Sequence, residues 1–277
     1  MKKFAFLVGL LAMLVQPVRA DVLVLVHGYM ADARTWDTSG VNAVLAGNGW
    51  QPAGVLTVTP EGMRYPASLS AARNKSYSVN VPAAAPLSIQ ASVLARELST
   101  LRQWYPGERL ILAGHSAGGV VARMLVTGTN PYGVDTLITI AAPNLGTFRA
   151  AQGLDVVDAK PFFCPGPGIE FMKSVLGGEE YNYLEHSRGA LIDLLPAESG
   201  NILSGLNRQP HADIHYYAII HTAPDGSGDG IVPAYSQDLN NVPALRGRVK
   251  TVSVPAGHSL NPQDGWVLVR LLTQPRH

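Results

Sequence analysis

Leu110-Ile111-Leu112-Ala113-Gly114-His115-Ser116-Ala117-Gly118-Gly119-Val120-Val121 is the stretch on which the reading of this sequence turns. Four apolar residues without alternation, Leu110 to Ala113, predict a strand buried on both faces, and Gly118 to Val126 predicts a helix. Between them lies Gly114-His115-Ser116-Ala117-Gly118, a G-x-S-x-G pattern. Five such residues are a weak signal alone; the strand running into them and the helix leaving at once give them weight. So sharp a turn strains the backbone at Ser116 and crowds the positions two before and two after, where a glycine has no Cβ to clash. It would hold the Ser116 hydroxyl clear of the sheet, at a helix N-terminus that favours developing negative charge. Ser116 is therefore the candidate nucleophile.

A serine hydroxyl is a weak nucleophile until a histidine takes its proton, and the histidine needs a carboxylate to set its tautomer. Downstream, Gly228-Asp229-Gly230-Ile231-Val232-Pro233 follows a strand-like run Tyr216 to Ile220, and Pro255-Ala256-Gly257-His258-Ser259 follows another, Val249 to Val254. Nucleophile, acid and histidine thus come in the order Ser116, Asp229, His258, each after the carboxyl end of a strand. Asp225 is the rival acid in the same loop. Asp229 is preferred because Ile231-Val232-Pro233 can re-anchor the chain beneath it. His27 also has a plausible site position. His115 is expected to point elsewhere, and His186, His211, His215, His221 and His277 are read as surface or packing residues. The oxyanion formed by attack needs two preorganised backbone N–H groups. Ala117 supplies one; Tyr29, in His27-Gly28-Tyr29 after the first strand, is chosen for the second, with Met30 as its fallback.

Further strands are predicted at Val22–Val26, Val55–Val58 and Thr136–Ile140, and helices at Ser88–Trp104 and Gly265–Leu272. Residues 60–86, rich in Pro, Ala, Ser and Asn, are read as a long loop near the site. Strand–helix alternation lapses from about 148 to 212, a stretch with Phe162, Phe163, Phe171, Tyr181 and Tyr183, which reads as an inserted cap or lid. Repeated strand–helix–strand units imply an α/β fold: a mostly parallel, twisted sheet with helices on both faces.

The chain has 277 residues, and its first 20 have the layout of a secretory signal peptide: Lys2 and Lys3, an apolar run from Phe4 to Val15, then Val18-Arg19-Ala20. That run falls short of the roughly 20 residues needed to span a bilayer. Residues 21–277 are then one exported domain, periplasmic or secreted, with 18 basic and 20 acidic groups and a net charge of −2. So balanced a charge argues against a nucleic-acid partner. An apolar fraction of 47% supports a large core. Cys164, the sole cysteine, is read as structural.

Val24-Leu25-Val26-His27-Gly28, Leu112 to Gly119, Ala141-Ala142-Pro143-Asn144-Leu145-Gly146-Thr147 and Asp229 to Pro233 together resemble the bacterial triacylglycerol lipase and esterase group of the α/β-hydrolases. The resemblance covers most of 21–147 and 213–262. It implies hydrolysis of carboxylic esters through an acyl-enzyme, with a mobile lid over an apolar acyl pocket. It also implies a small-molecule or lipid ester as substrate and a transient lipid-interface contact through the cap. Many members carry a calcium held by an aspartate two residues after the catalytic histidine. That position is Leu260, so no metal and no cofactor is predicted. An acyltransferase or thioesterase using the same three residues is the alternative, and a silent hydrolase-like binding protein a further one.

Overall fold

Consecutive residues of strand β1, Asp21–Val26, face opposite layers. Val22, Val24 and Val26 enter one hydrophobic cluster, and Leu23 and Leu25 the other. Strand β5, Arg109–His115, repeats the arrangement, with Leu110 and Leu112 on one side and Ile111 and Ala113 on the other. Burial on both faces is what an unbroken apolar run encodes. The computed structural model describes residues 20–59, 61–66, 68–158, 178–198 and 200–274. The proposed signal peptide, apart from Ala20, lies outside the described residues, as do Cys164, Phe162, Phe163 and Phe171.

The other strands are β2 (Gln51–Thr59), β3 (Gly62–Arg64), β4 (Asn74–Asn80), β6 (Val134–Ile140), β7 (His215–Thr222) and β8 (Val249–Pro255). They form one sheet in the order β3-β2-β4-β1-β5-β6-β7-β8. Every neighbouring pair is parallel except the β2–β3 hairpin. Helices α1 (Thr35–Thr38), α2 (Val41–Gly47), α3 (Leu87–Trp104) and α4 (Ala117–Met124) follow in the first half. Then come α5 (Phe148–Asp158), α6 (Gly178–His186), α7 (Arg188–Asp193), α8 (Ile202–Arg208), α9 (Ala234–Gln237) and α10 (Pro262–Thr273). Leu94 and Leu98 of α3 and Val120 and Val121 of α4 pack with Val22 and Val24, whereas Leu45 of α2 and Leu268 of α10 pack with Leu23 and Leu25. The helices therefore cover both faces, and the fold is that of an α/β-hydrolase.

The chain steps from β1 out to β2, returns through β4, and then crosses to β5 on the other side of β1. The carboxyl ends of β1 and β5 flank this reversal, where open α/β sheets form their crevice. Within 60–86, read as a loop, the structure has β3 and the central strand β4. Polar residues hid it: Lys75, Ser76 and Ser78 are buried beside Tyr77 and Val79. Burial of Lys75 is compensated by an ion pair with Glu108 and by the Tyr105 ring 4.4 Å from its ammonium.

Within 148–212, α8 sends Leu203 and Leu206 into the α3–α4 cluster. Helix α7 is pinned on the start of α3, where the Leu87 N–H donates to Asp193 Oδ2 at 2.8 Å. A Cβ on Gly189 would stand 2.8 Å from Pro86 Cγ, so this contact needs glycine.

Candidate active site

Strand β5 ends at His115, and the chain turns into α4 through Ser116 at φ 52° and ψ −130°. This left-handed conformation is costly for a residue with a Cβ. It is held by the Ser116 N–H donating to the Ile140 carbonyl at 2.8 Å and by the Ser116 carbonyl accepting from Gly119 N–H at 2.9 Å. The flanking glycines are needed because the turn is tight. A Cβ on Gly114 would lie 2.6 Å from Gly119 Cα, and one on Gly118 would overlap the carbonyls of Val26 and His27 at the end of β1. Gly118→Ala is therefore expected to cost about 3 kcal/mol of stability, since backbone on both sides must shift. Urea unfolding followed by circular dichroism measures this; a midpoint equal to the parent's would contradict it.

His258, after β8, places Nε2 2.8 Å from Ser116 Oγ and Nδ1 2.7 Å from Asp229 Oδ2. Asp229 Oδ1 accepts the N–H groups of Ile231 at 2.8 Å and Val232 at 2.7 Å. Burial alone would push the Asp229 carboxyl up. The His258 hydrogen bond and charge and the two N–H donors outweigh it and hold the group below the usual carboxylate range. Asp225, the rival acid, is exposed and accepts from Ser227 N–H at 3.0 Å and Ser227 Oγ–H at 2.7 Å. The structure thus brings Ser116, His258 and Asp229 into one hydrogen-bonded line and leaves Asp225 outside it.

The loop after β1 closes over Ser116 from the other side. A Cβ on Gly28 would stand 2.8 Å from Ser116 Cβ, which is how closely that backbone approaches. Burial pulls the His27 pKa down, and the neutral ring accepts Val81 N–H on Nε2 at 3.2 Å and donates from Nδ1 to Gly28 O at 3.0 Å. The end of β1 is so tied to the end of β4. Among the described residues, the N–H groups of Tyr29 and Ala117 donate to no protein acceptor. The N–H of Met30, the fallback, donates to Tyr183 Oη at 3.3 Å.

Several residues of this site have no chemical role assigned from the sequence, where Tyr183 is only one of the aromatics of the inserted stretch. Tyr183 of α6 packs edge-on against Tyr29, with ring centroids 5.4 Å apart, and the Tyr29 hydroxyl meets Ser187 Oγ at 2.5 Å. Gln237 Nε2 donates to Asp229 Oδ2 at 3.2 Å and to the Val232 carbonyl at 2.9 Å. Ser236 Oγ donates to Gly146 O at 2.7 Å and accepts Leu145 N–H at 3.1 Å, binding the loop after β6 to the acid loop. Only tertiary structure joins these positions. Leu260, at the position where calcium-bearing relatives have an aspartate, is buried in the α2–α10 cluster and offers no ligand atom. That position does not fit calcium.

A surface cavity of about 720 Å³ lies at the amino-terminal ends of β5, β6 and β7, beside Arg109, Val134 and His215, and so at the opposite end of the strands from Ser116. A smaller one of about 290 Å³ borders the acid loop and includes Phe148 and Ile231.

The family model described as "Alpha/beta hydrolase family" matches residues 23–269. No curated protein matches the chain. Among solved structures, the chain is similar to a gene product of Listeria innocua, at 16% identity over 93% of this chain and 96% of that one, with a TM-score of 0.61. It is also similar to the mature form of a Bacillus licheniformis lipase, at 14% identity over 92% of each chain, with a TM-score of 0.59. A metagenomic carboxyl esterase matches at 12% identity over 91% of this chain and 75% of its own, with a TM-score of 0.54. At such identities the likeness is one of fold. With a family model spanning nearly its whole length and a sheet of the matching architecture, the chain belongs to the alpha/beta hydrolase family.

Proposed function

We propose that this protein hydrolyses carboxylic esters through an acyl-enzyme formed on Ser116. The observation that carries the reading is the line Asp229–His258–Ser116, with contacts of 2.7 and 2.8 Å, ending on a serine whose strained backbone lifts it from the sheet. In the first half-reaction Ser116 Oγ attacks the ester carbonyl while His258 Nε2 takes its proton. The C–O bond to the alcohol then breaks, and the alcohol leaves with the proton from His258. A water gives one proton to His258 and attacks the acyl-serine; the C–O bond to Ser116 then breaks, His258 returns that proton to Ser116 Oγ, and the acid leaves. Asp229 keeps Nδ1 protonated throughout, so that Nε2 is the nitrogen that accepts. The oxyanion is assigned to the N–H groups of Ala117 and Tyr29, whose freedom from protein acceptors supports that role. Each such donor is worth about 3 kcal/mol of barrier.

The esterase and lipase among the similar folds support a carboxylic ester as substrate. Phe148 and Ile231, 61% and 41% exposed beside the acid loop, offer apolar surface for the acyl side or for a lipid interface. Residues 148–212 are proposed as the cap. A fluorophosphonate is expected to label Ser116 stoichiometrically, and p-nitrophenyl esters of increasing acyl length should all be cleaved, with an optimum that names the chain length. A folded sample that neither labels nor cleaves any ester would sink the proposal.

A further inference from the structure

Two consecutive carbonyls of the loop that carries His258 are each held by another histidine. His115 donates from Nε2 to the His258 carbonyl at 2.8 Å, and His221 donates from Nδ1 to the Gly257 carbonyl at 2.8 Å. His221 comes from β7 and is completely buried. Its backbone is clamped by Gln237, which accepts the His221 N–H on Oε1 at 2.7 Å and donates from Nε2 to the His221 carbonyl at 2.9 Å. Its Nε2 lies 2.7 Å from Asp264 Oδ1, and Asp264 too is completely buried. Asp264 Oδ2 accepts the Asn261 N–H at 2.9 Å, which closes the capping box of α10.

The protons can be counted. A carbonyl oxygen only accepts, so Nδ1 of His221 must carry a proton. One more proton is then shared between Nε2 and Asp264. The carboxylate form is favoured because Oδ2 already accepts a backbone N–H. The titratable groups facing His221 are Asp264 on α10, Asp229 in the acid loop and His115 at the end of β5. Burial, with help from the His258 charge, pushes His115 down to about 3, so it adds no opposing cation. Burial also works against a charge on His221. The Asp264 hydrogen bond and charge, the Gly257 carbonyl and Asp229 outweigh it, and the His221 pKa rises above its ordinary value.

We propose that His221 is a positioning residue: an imidazolium locked between Asp264 and the Gly257 carbonyl, it fixes the loop that presents His258 to Ser116. The proposal rests on the esterase reading of Ser116. A bare Asp264 carboxylate would be costly to bury, so breaking the pair by removing one partner frees the His258 loop as well as the ion. Because the His221 pKa is raised by folding, the clamp is fully present below the ordinary histidine range. It is lost as pH rises through the elevated value, where a bare Nε2 would face a carboxylate.

Nitrogen-15 spectra of histidine-labelled full-length protein at neutral pH test the protonation directly. Both ring nitrogens of His221 are expected to show an attached proton. A bare Nε2, meaning a neutral ring facing a protonated Asp264, would overturn the proposal. His221→Gln and Asp264→Asn are expected to lower kcat on p-nitrophenyl butyrate by about 10- to 100-fold with KM within about twofold, as losses of orienting partners do. The Asp264→Asn alkaline limb should move to lower pH. The double variant His221→Leu/Asp264→Leu removes both buried charges, so it keeps a folded sample for the comparison. It should be slow as well. If that folded double variant matches the parent in kcat, the clamp is wrong while the esterase reading stands. A parent protein that neither labels with fluorophosphonate nor turns over ester refutes the esterase reading instead, and the nitrogen spectra still decide the charge on His221.

Discussion

Ser116→Ala is expected to lower kcat on any cleaved ester by about 10⁴- to 10⁶-fold, with KM within a fewfold of the parent. The alanine keeps the turn, because the conformation at φ 52° is set by the Ile140 and Gly119 hydrogen bonds and by the packing of Gly114 and Gly118. What it removes is the atom 2.8 Å from His258 Nε2 that would bond to the acyl carbon. Residual turnover would come from the oxyanion donors and His258 activating a water. Single-turnover kinetics with a thermal-unfolding control separates lost chemistry from lost fold. An alanine variant within tenfold of the parent would place the nucleophile elsewhere.

Asp229→Asn is expected to cost about 10⁴-fold in kcat, whereas Asp225→Asn should stay within about twofold. The size of the first effect follows from a forced amide orientation. Oδ1 of Asp229 accepts two backbone N–H groups, from Ile231 and Val232, so the asparagine must keep its carbonyl oxygen there and turn its NH₂ toward His258. Nδ1 then becomes the acceptor, the ring proton moves to Nε2, and Nε2 no longer takes a proton from Ser116. Asp225 is exposed and accepts from the N–H and Oγ–H of Ser227. The pH dependence has a definite sign. The Asp229 carboxyl is held below its ordinary value, so its contribution to stability is present above the usual carboxylate pKa and lost as pH falls through the lowered one. Parallel kcat and KM measurements on both variants decide the assignment; equal losses at the two positions would undo it.

The strands that an apolar run encodes were legible, because burial on both faces leaves nothing to alternate: Val22–Val26 lies inside β1 and Leu110–Ala113 inside β5. Strand β4 was illegible for the converse reason. Lys75, Ser76 and Ser78 are polar residues whose burial is made tolerable by groups distant in sequence, Glu108 and Tyr105 for the lysine. The same blindness hid His221. As a lone histidine at the end of a strand it reads as packing, and only the fold puts Asp264 on one ring nitrogen and the Gly257 carbonyl on the other. The His115 ring reaches the His258 carbonyl, a contact across 143 positions that no local pattern announces. Tyr183 and Ser187 lie about 155 residues beyond the loop after β1 that they touch, and no local pattern announces that contact either.

By itself the sequence determined the turn at Ser116, since strand, glycines and helix there are constraints of neighbouring residues on one another. It also determined the order of serine, acid and histidine along the chain, and hence the class of fold. Tertiary structure alone decided which carboxylate meets His258 and which polar groups hold that histidine in place. The 2.8 Å between His258 and Ser116, 142 positions apart, and the 2.7 Å between His258 and Asp229, 29 positions apart, depend on how eight strands stack in register. Local propensity sets elements; only their packing sets such distances.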